Sequence, residues 1–105
     1  MPSRSPDPDF ISRALEIVDS IPAGKVMAYG DVAAAMGSRA ARAVGTVMSH
    51  YGSDSPWWRV VRASGHPAID HEQRALEYYR AEGTPLLWSS GGTYRVDLRA
   101  ARHTP

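Results

Sequence analysis

Apolar residues at Phe10, Ile11, Ala14, Leu15, Val18 and Ile21 return every three or four positions with polar residues between them. That is the spacing of an amphipathic helix. Asp7-Pro8 supplies an N-cap followed by proline at the first helical position, which predicts a helix over 8–20 ended by Pro22-Ala23-Gly24. Lys25 to Ala28 reads as a short extended stretch. A second helix follows, with Asp31 as its cap, through Val32, Ala33, Ala35 and Met36. Gly37-Ser38 breaks it, and a third helix runs from Arg39 to Ser49. His50 to Ser55 is a loop, and the segment Pro56-Trp57-Trp58-Arg59-Val60-Val61 then reads as a turn running into a short strand. Arg62 to Asp70 is a further loop. Ala75, Leu76, Tyr78 and Tyr79 mark the buried side of a helix over 71–82, stopped by Gly83 and Pro85. Leu86-Leu87-Trp88 and Tyr94 to Leu98, joined through Gly91-Gly92, read as a β-hairpin. The tail from Arg99 onward has little to bury and is expected to fray.

These elements predict an α+β, mostly helical fold. It is a winged-helix-like helix-turn-helix domain with a short strand after the Pro-Trp-Trp-Arg-Val turn and a C-terminal hairpin. The 105 residues suit one domain, with 1–7 and 99–105 expected to be flexible. The third helix is rich in small residues: Ala40, Ala41, Ala43, Gly45 and Thr46. Such a face suits tight packing against a neighbouring helix or close approach to an external surface, with Arg42 projecting from it. The pattern leaves both readings open.

The two tryptophans admit a similar choice. Successive side chains of a strand point to opposite faces. If Trp58 opens the strand and packs inward, Trp57 is left at the mouth of whatever the turn borders, where an indole can grip a flat ring. Packing of both rings in the core is the plainer alternative.

Charge sharpens this picture only when it is divided along the chain. Net charge is +1, but residues 1–35 carry three basic against five acidic side chains, and residues 36–66 carry four arginines against Asp54 alone. Eleven of the twelve basic residues are arginine, the side chain suited to bidentate phosphate contact and ring stacking. A positive middle segment is a modest signal for nucleic acid. There is no cysteine, so disulfides, thiolate metal sites and a cysteine nucleophile are excluded. Met1 to Asp9 lacks the apolar stretch of a secretory signal, and no apolar run reaches membrane-spanning length. A soluble cytoplasmic protein is expected.

Enzyme signatures fail. His71-Glu72 starts like a zinc-protease helix, but Ala75 stands where the second histidine belongs. His50, His66, His71 and His103 have no ligand spacing, so no metal and no cofactor are expected. Gly91-Gly92 lacks a phosphate-loop lysine, and no serine sits in a nucleophile elbow.

In order along the chain stand Ile21-Pro22-x-Gly24-Lys25-Val26-x-x-Tyr29-Gly30-Asp31-Val32-Ala33, then Ala41-Arg42-Ala43-Val44-Gly45, then Pro56-x-x-Arg59-Val60-Val61, then Glu82-Gly83. Together they resemble the DNA-binding domain of the O6-alkylguanine-DNA alkyltransferases over roughly residues 8–98. Those enzymes carry Pro-Cys-His-Arg in the turn. Trp57 here replaces the alkyl-accepting cysteine and Trp58 the activating histidine, the mark of the alkyltransferase-like proteins. The resemblance implies a non-catalytic sensor of O6-alkylguanine in double-stranded DNA, acting as a monomer. It would dock its helix-turn-helix in the minor groove, flip the nucleotide and mark it for nucleotide excision repair proteins.

Carried over, Tyr29 would press on the phosphate 3′ to the lesion. Arg42 would fill the gap in the base stack, with Arg39, Ala41 and Gly45 completing the DNA-binding set. Pro56, Trp57, Trp58, Arg59 and Val60 would form the lesion pocket. Within it, Trp57 is the floor, the carbonyls of Trp57 and Val60 meet the base, and Arg59 holds the turn. Glu82, without a histidine to orient, would be structural. Extruding a base costs a few kcal/mol, and stacking on an aromatic returns about 1–3 kcal/mol, so weakened pairing at an alkylated guanine tips the balance.

Three departures stand out. Tyr51 replaces an asparagine after the recognition helix, Trp58 is bulky, and the loop from Gly65 to His71 is shortened and holds no arginine. Arg62 or Arg74 would have to supply the arginine that this loop can present in the family. Two other readings compete: a regulatory helix-turn-helix protein without lesion preference, and a base-processing enzyme using Asp70 or Glu82 with a histidine.

Overall fold

Asp7 caps the first helix as its spacing predicts: its Oδ1 accepts the Phe10 N–H at 2.8 Å, and α1 runs Pro8–Asp19. The computed structural model describes residues 7–105. The expected flexibility of residues 1–7 therefore falls, except for Asp7, outside the described residues. After α1 come β1 (Met27–Ala28), α2 (Tyr29–Ala35) and α3 (Ala41–Tyr51). A single 3-10 turn (Trp57–Arg59) leads into β2 (Val60–Val61). Then follow α4 (Glu72–Glu82), β3 (Leu86–Trp88), β4 (Tyr94–Val96) and α5 (Leu98–Ala101).

β1 and β2 pair in parallel, Met27 opposite Val60 and Ala28 opposite Val61. Alternation along these strands divides the interior in two. Met27 and Val60 join Ala14, Val18, Ile21, Val32, Ala33, Val44 and Val47 in a core under α1, α2 and α3. Val26 and Val61 join Ala75, Tyr79, Tyr94, Val96 and Ala101 on the other side. The antiparallel hairpin β3–β4, in register Leu86–Val96 and Trp88–Tyr94, closes that second core. Mostly helical, with α2–α3 as the helix-turn-helix and the hairpin as a wing, the architecture is the α+β class expected.

Four details depart from the pattern read along the chain. Asp31 is not the cap of α2: Ala28 holds that position, and Asp31 sits at the third helical residue, its Oδ2 accepting the Ala28 N–H at 3.0 Å. The third helix starts two residues later than Arg39 and carries His50 and Tyr51 inside it. Trp57 and Trp58 diverge through a 3-10 turn, with roughly 120° between successive residues, rather than through strand alternation; the strand begins at Val60. The tail is the largest correction. Residues 98–101 form a helix, and Ala101 is fully buried. Val26 donates to the Ala101 carbonyl at 2.9 Å and its carbonyl accepts the His103 N–H at 2.8 Å, while Arg102 pairs with Asp31 at 3.0 Å. The edge of β1 needed a partner, and the tail supplies one, a long-range demand that local composition does not register.

Candidate nucleic-acid interface

The turn after α3 is built by backbone. Gly52 N–H donates to Met48 O, Ser55 N–H to Gly52 O, Trp57 N–H to Ser55 O and Arg59 N–H to Pro56 O, all within 2.7–3.2 Å. These bonds brace the segment in which Tyr51, half-exposed, replaces the asparagine. Gly52 is sterically required, because a Cβ there would lie 2.6 Å from the Met48 carbonyl.

Behind the turn sits a polar hub. Glu82 accepts from Arg59 Nε at 3.1 Å and Arg59 Nη2 at 2.6 Å, from Trp58 Nε1 at 3.0 Å and from the Gly24 N–H at 3.1 Å. Arg59 Nη1 also donates to the Ile21 carbonyl at 2.8 Å. Burial works against ionisation of Glu82, but these donors, Arg59 foremost, outweigh it and hold its carboxyl below the usual range. Trp58 thus keeps a ring N–H on this acid. Its indole stacks on Tyr78, with centroids 3.7 Å apart and planes at 10°, and its carbonyl accepts the hydroxyl of buried Tyr79. Desolvation pushes the Tyr79 phenol far up, so it remains a donor.

In front of the hub lies an open cleft of about 340 Å³, lined by Tyr29 from α2, Gly45, Met48 and Ser49 from α3, Gly52, Ser53, Trp57, Ala68, Ile69, His71 and Arg74. Trp57 is its aromatic wall. It meets Tyr78 and Trp58 edge-on, at 5.7 and 5.6 Å, and His71 at 5.5 Å, with the Arg74 guanidinium 5.5 Å from its ring centre. Tyr29, half-buried at the start of α2, has its phenol pushed up by burial, with Arg62 opposing that shift.

The structure therefore brings Tyr29, Gly45 and Trp57 together on one cleft. Ala41 and Arg42 lie in the first turn of α3 and Arg39 just before it, both arginines exposed and none of the three in the lining. Pro56, Trp58, Arg59 and Val60 lie outside the lining: Trp58 and Arg59 belong to the hub, and the Val60 side chain is buried in the first core. The Trp57 carbonyl already accepts the Val60 N–H. Of the two arginines weighed for the short loop, Arg62 is engaged with the Pro67 carbonyl at 3.0 Å, whereas Arg74 reaches the cleft. Met48, Ser49, Gly52, Ser53, Ala68, Ile69 and His71 complete the lining without any motif to announce them. The helical period does place Gly45, Met48 and Ser49 together on the face of α3 away from buried Val44 and Val47.

The small-residue face is open at Gly45. A Cβ built there meets no atom within 4 Å, and the same holds at Gly30. These glycines do not admit a neighbouring part of the chain. Their space faces outward.

Among the described residues, no cluster of three or more potential ligands could hold a metal ion, and no helix is long and apolar enough to cross a membrane. The model of the DNA-binding domain of 6-O-methylguanine DNA methyltransferase matches residues 9–83. A DNA base-flipping protein of Escherichia coli K12 is 40% identical over 101 residues, covering 89% of this chain and 73% of the relative. Alkyltransferase-like protein 1 of Schizosaccharomyces pombe is 32% identical over 97 residues, covering 86% and 90%. The crystal structure of that yeast's Atl1 in complex with damaged DNA containing O6-carboxymethylguanine aligns with a TM-score of 0.83 at 30% identity, over 95% of this chain and 99% of that one. With Trp57 and Trp58 in the turn and no cysteine in the sequence, the chain belongs to the 6-O-methylguanine DNA methyltransferase DNA-binding-domain family, and within it to the alkyltransferase-like proteins.

Proposed function

We propose that this protein is a non-catalytic sensor of O6-alkylguanine in duplex DNA, docking α3 in the minor groove and taking the flipped base into the cleft beside Trp57. The observation that carries the reading is the outward space at Gly45 next to an aromatic cleft that holds no thiol. A helix whose glycine opens on nothing in its own fold is shaped for close approach to another surface, and Arg42 on that helix fills the base stack. Tyr29, a neutral phenol, donates its O–H to a phosphate oxygen. Trp57 and Arg74, its guanidinium over the Trp57 ring, meet the alkylated base together. Coupling to nucleotide excision repair, action as a monomer and a cytoplasmic, nucleoid-bound location belong to the same proposal. The exposed Leu87 and Trp88 of the hairpin support the coupling. Trp88 packs on Arg80, and Gln73, Leu76 and Arg80 form a stripe of α4 two residues out of phase with His71, Arg74 and Tyr78, hence on the opposite side of the helix. That face stays open to a repair protein while DNA fills the cleft.

The flipping step is tested with 2-aminopurine placed next to O6-methylguanine in a duplex. Wild-type protein should raise its fluorescence at saturation, and Arg42→Ala should abolish most of that rise. An unchanged signal with wild-type protein at saturating concentration would remove nucleotide flipping from the account. A regulator without lesion preference, the competing reading, predicts equal affinity for damaged and undamaged duplexes.

A further inference from the structure

The hairpin keeps one edge free. Asp97 N–H donates to the Pro85 carbonyl at 3.0 Å and Ser89 N–H to the Thr93 carbonyl at 2.8 Å, so the hydrogen-bonded pairs of the ladder are 85–97, 87–95 and 89–93. Leu86 and Trp88 therefore turn their backbone N–H and C=O groups away from β4. The matching edge of β4 is partly taken, since Val96 N–H donates to the Gly65 carbonyl at 2.9 Å. Among the described residues, no backbone group of another element bonds the outer edge of β3. Such an edge accepts an added strand.

The side chains beside that edge select what the strand carries. Leu87 and Trp88 are exposed, at 42% and 51%, and Trp88 overhangs a groove of about 440 Å³ between the hairpin and α4, lined also by Leu76. The Arg80 guanidinium lies over the Trp88 ring, 5.8 Å from its centre, and Arg95 stands directly across from Leu87. Both arginines are exposed, and neither is ion-paired: the pairs among the described residues are Arg59–Glu82 and Arg102–Asp31. Arg62 lines the same groove, and its one carboxylate, Glu72, is turned to the start of α4, where it accepts the Asp70 N–H at 3.2 Å. Apolar side chains ringed by uncommitted arginines complement a segment in which apolar residues alternate with carboxylates. Phosphates would leave Leu76, Leu87 and Trp88 uncovered.

We infer that β3 takes up an extended, acidic segment of a partner protein as a third strand of the hairpin sheet, an apolar side chain of that segment seated against Trp88 and its carboxylates on Arg80 and Arg95. This deepens the coupling to repair proteins and rests on that part of the proposed function; lesion reading in the cleft stands apart from it. The groove and the cleft lie on opposite sides of α4, so segment and duplex bind together.

The test selects a phage-displayed random dodecapeptide library on the full chain saturated with duplex at physiological salt, then titrates the enriched peptides, fluorescein-labelled, by anisotropy. Enriched sequences should alternate apolar residues with aspartate or glutamate. Arg80→Glu and Arg95→Glu, both at exposed positions, should each weaken binding at least about threefold, and Trp88→Ala at least about tenfold. Amide exchange followed by NMR should slow at Leu86 and Trp88 in the complex, which attraction between charges alone does not produce. The two charge reversals should keep duplex affinity within about twofold, since screening is strong beyond about 8 Å. No enrichment, enrichment without acidic residues, or unchanged exchange at these two amides overturns the inference. A larger loss of duplex affinity in both charge reversals assigns the hairpin to DNA and overturns it as well. Failure of lesion reading shows separately, as equal affinity for O6-methylguanine and guanine duplexes, and leaves the peptide result unmoved.

Discussion

Replacing Glu82 by glutamine removes one charge from a carboxylate that accepts four hydrogen bonds, two of them from Arg59. Breaking one partner out of a buried ion pair costs about 3–5 kcal/mol. Here the side chains of Arg59 and Glu82 retain 17% and 12% of their exposure, and solvent screening reduces the expected loss to about 2–3 kcal/mol. Against a total stability of about 5–15 kcal/mol for a domain, that is a large fraction. In urea, with a slope of about 1–3 kcal/mol per molar, the unfolding midpoint should fall by about 1–2 M at pH 7. The pH dependence carries the sign. The folded carboxyl lies below its unfolded value, so its contribution is full above the unfolded carboxylate pKa of about 4.3. It is lost as pH falls through the folded value. Wild-type stability should therefore drop on acidification through this window, and Glu82→Gln should show a shallower drop. A loss under about 0.5 kcal/mol at pH 7, or an acid limb as steep in the variant as in the wild type, would refute the hub as the element that fixes Trp58 and Arg59 behind the cleft.

The remaining expectations separate fold from binding. Gly45→Ala should stabilise α3 by about 0.5–1 kcal/mol in urea unfolding, since its Cβ meets nothing, and yet weaken binding to any duplex; tighter or unchanged binding would mean that α3 does not approach the groove closely. Truncation after Asp97 strips the Ala101 and His103 bonds to Val26 and the burial of Ala101, and should cost about 2 kcal/mol or more; an unchanged unfolding midpoint would restore the frayed tail. Trp57→Ala should lose most of the discrimination between O6-methylguanine and guanine while keeping affinity for plain duplex, and equal loss on both in anisotropy titrations would take lesion reading away from this ring.

Where the sequence was legible, the cause was local. Asp7-Pro8 is a cap and a helix start because both act within one turn, and Gly83, at φ 71°, stops α4 because few other residues tolerate that conformation. The in-order matches from Ile21 to Gly83 name Tyr29 and Gly45 for DNA contact and Trp57 for the lesion pocket, and all three line one cleft. Illegible features depend on partners that composition does not register, distant for the tail and nearby for the turn. The tail helix forms because β1 leaves Val26 without a backbone partner. The 3-10 turn at Trp57 follows from the carbonyls of Ser55 and Pro56 being claimed by the next N–H groups. Arg74 lines the cleft while Arg62 bonds Pro67, and spacing alone could not choose between them.

The central claim is that Trp57's cleft reads the alkyl group on guanine. A fluorescence-anisotropy titration against two paired duplexes, one with a single O6-methylguanine and one with guanine, at physiological salt, tests it most directly. The account predicts at least a tenfold preference for the methylated duplex, about 1.4 kcal/mol. Equal affinity would contradict it and leave a helix-turn-helix protein that binds DNA without reading the lesion.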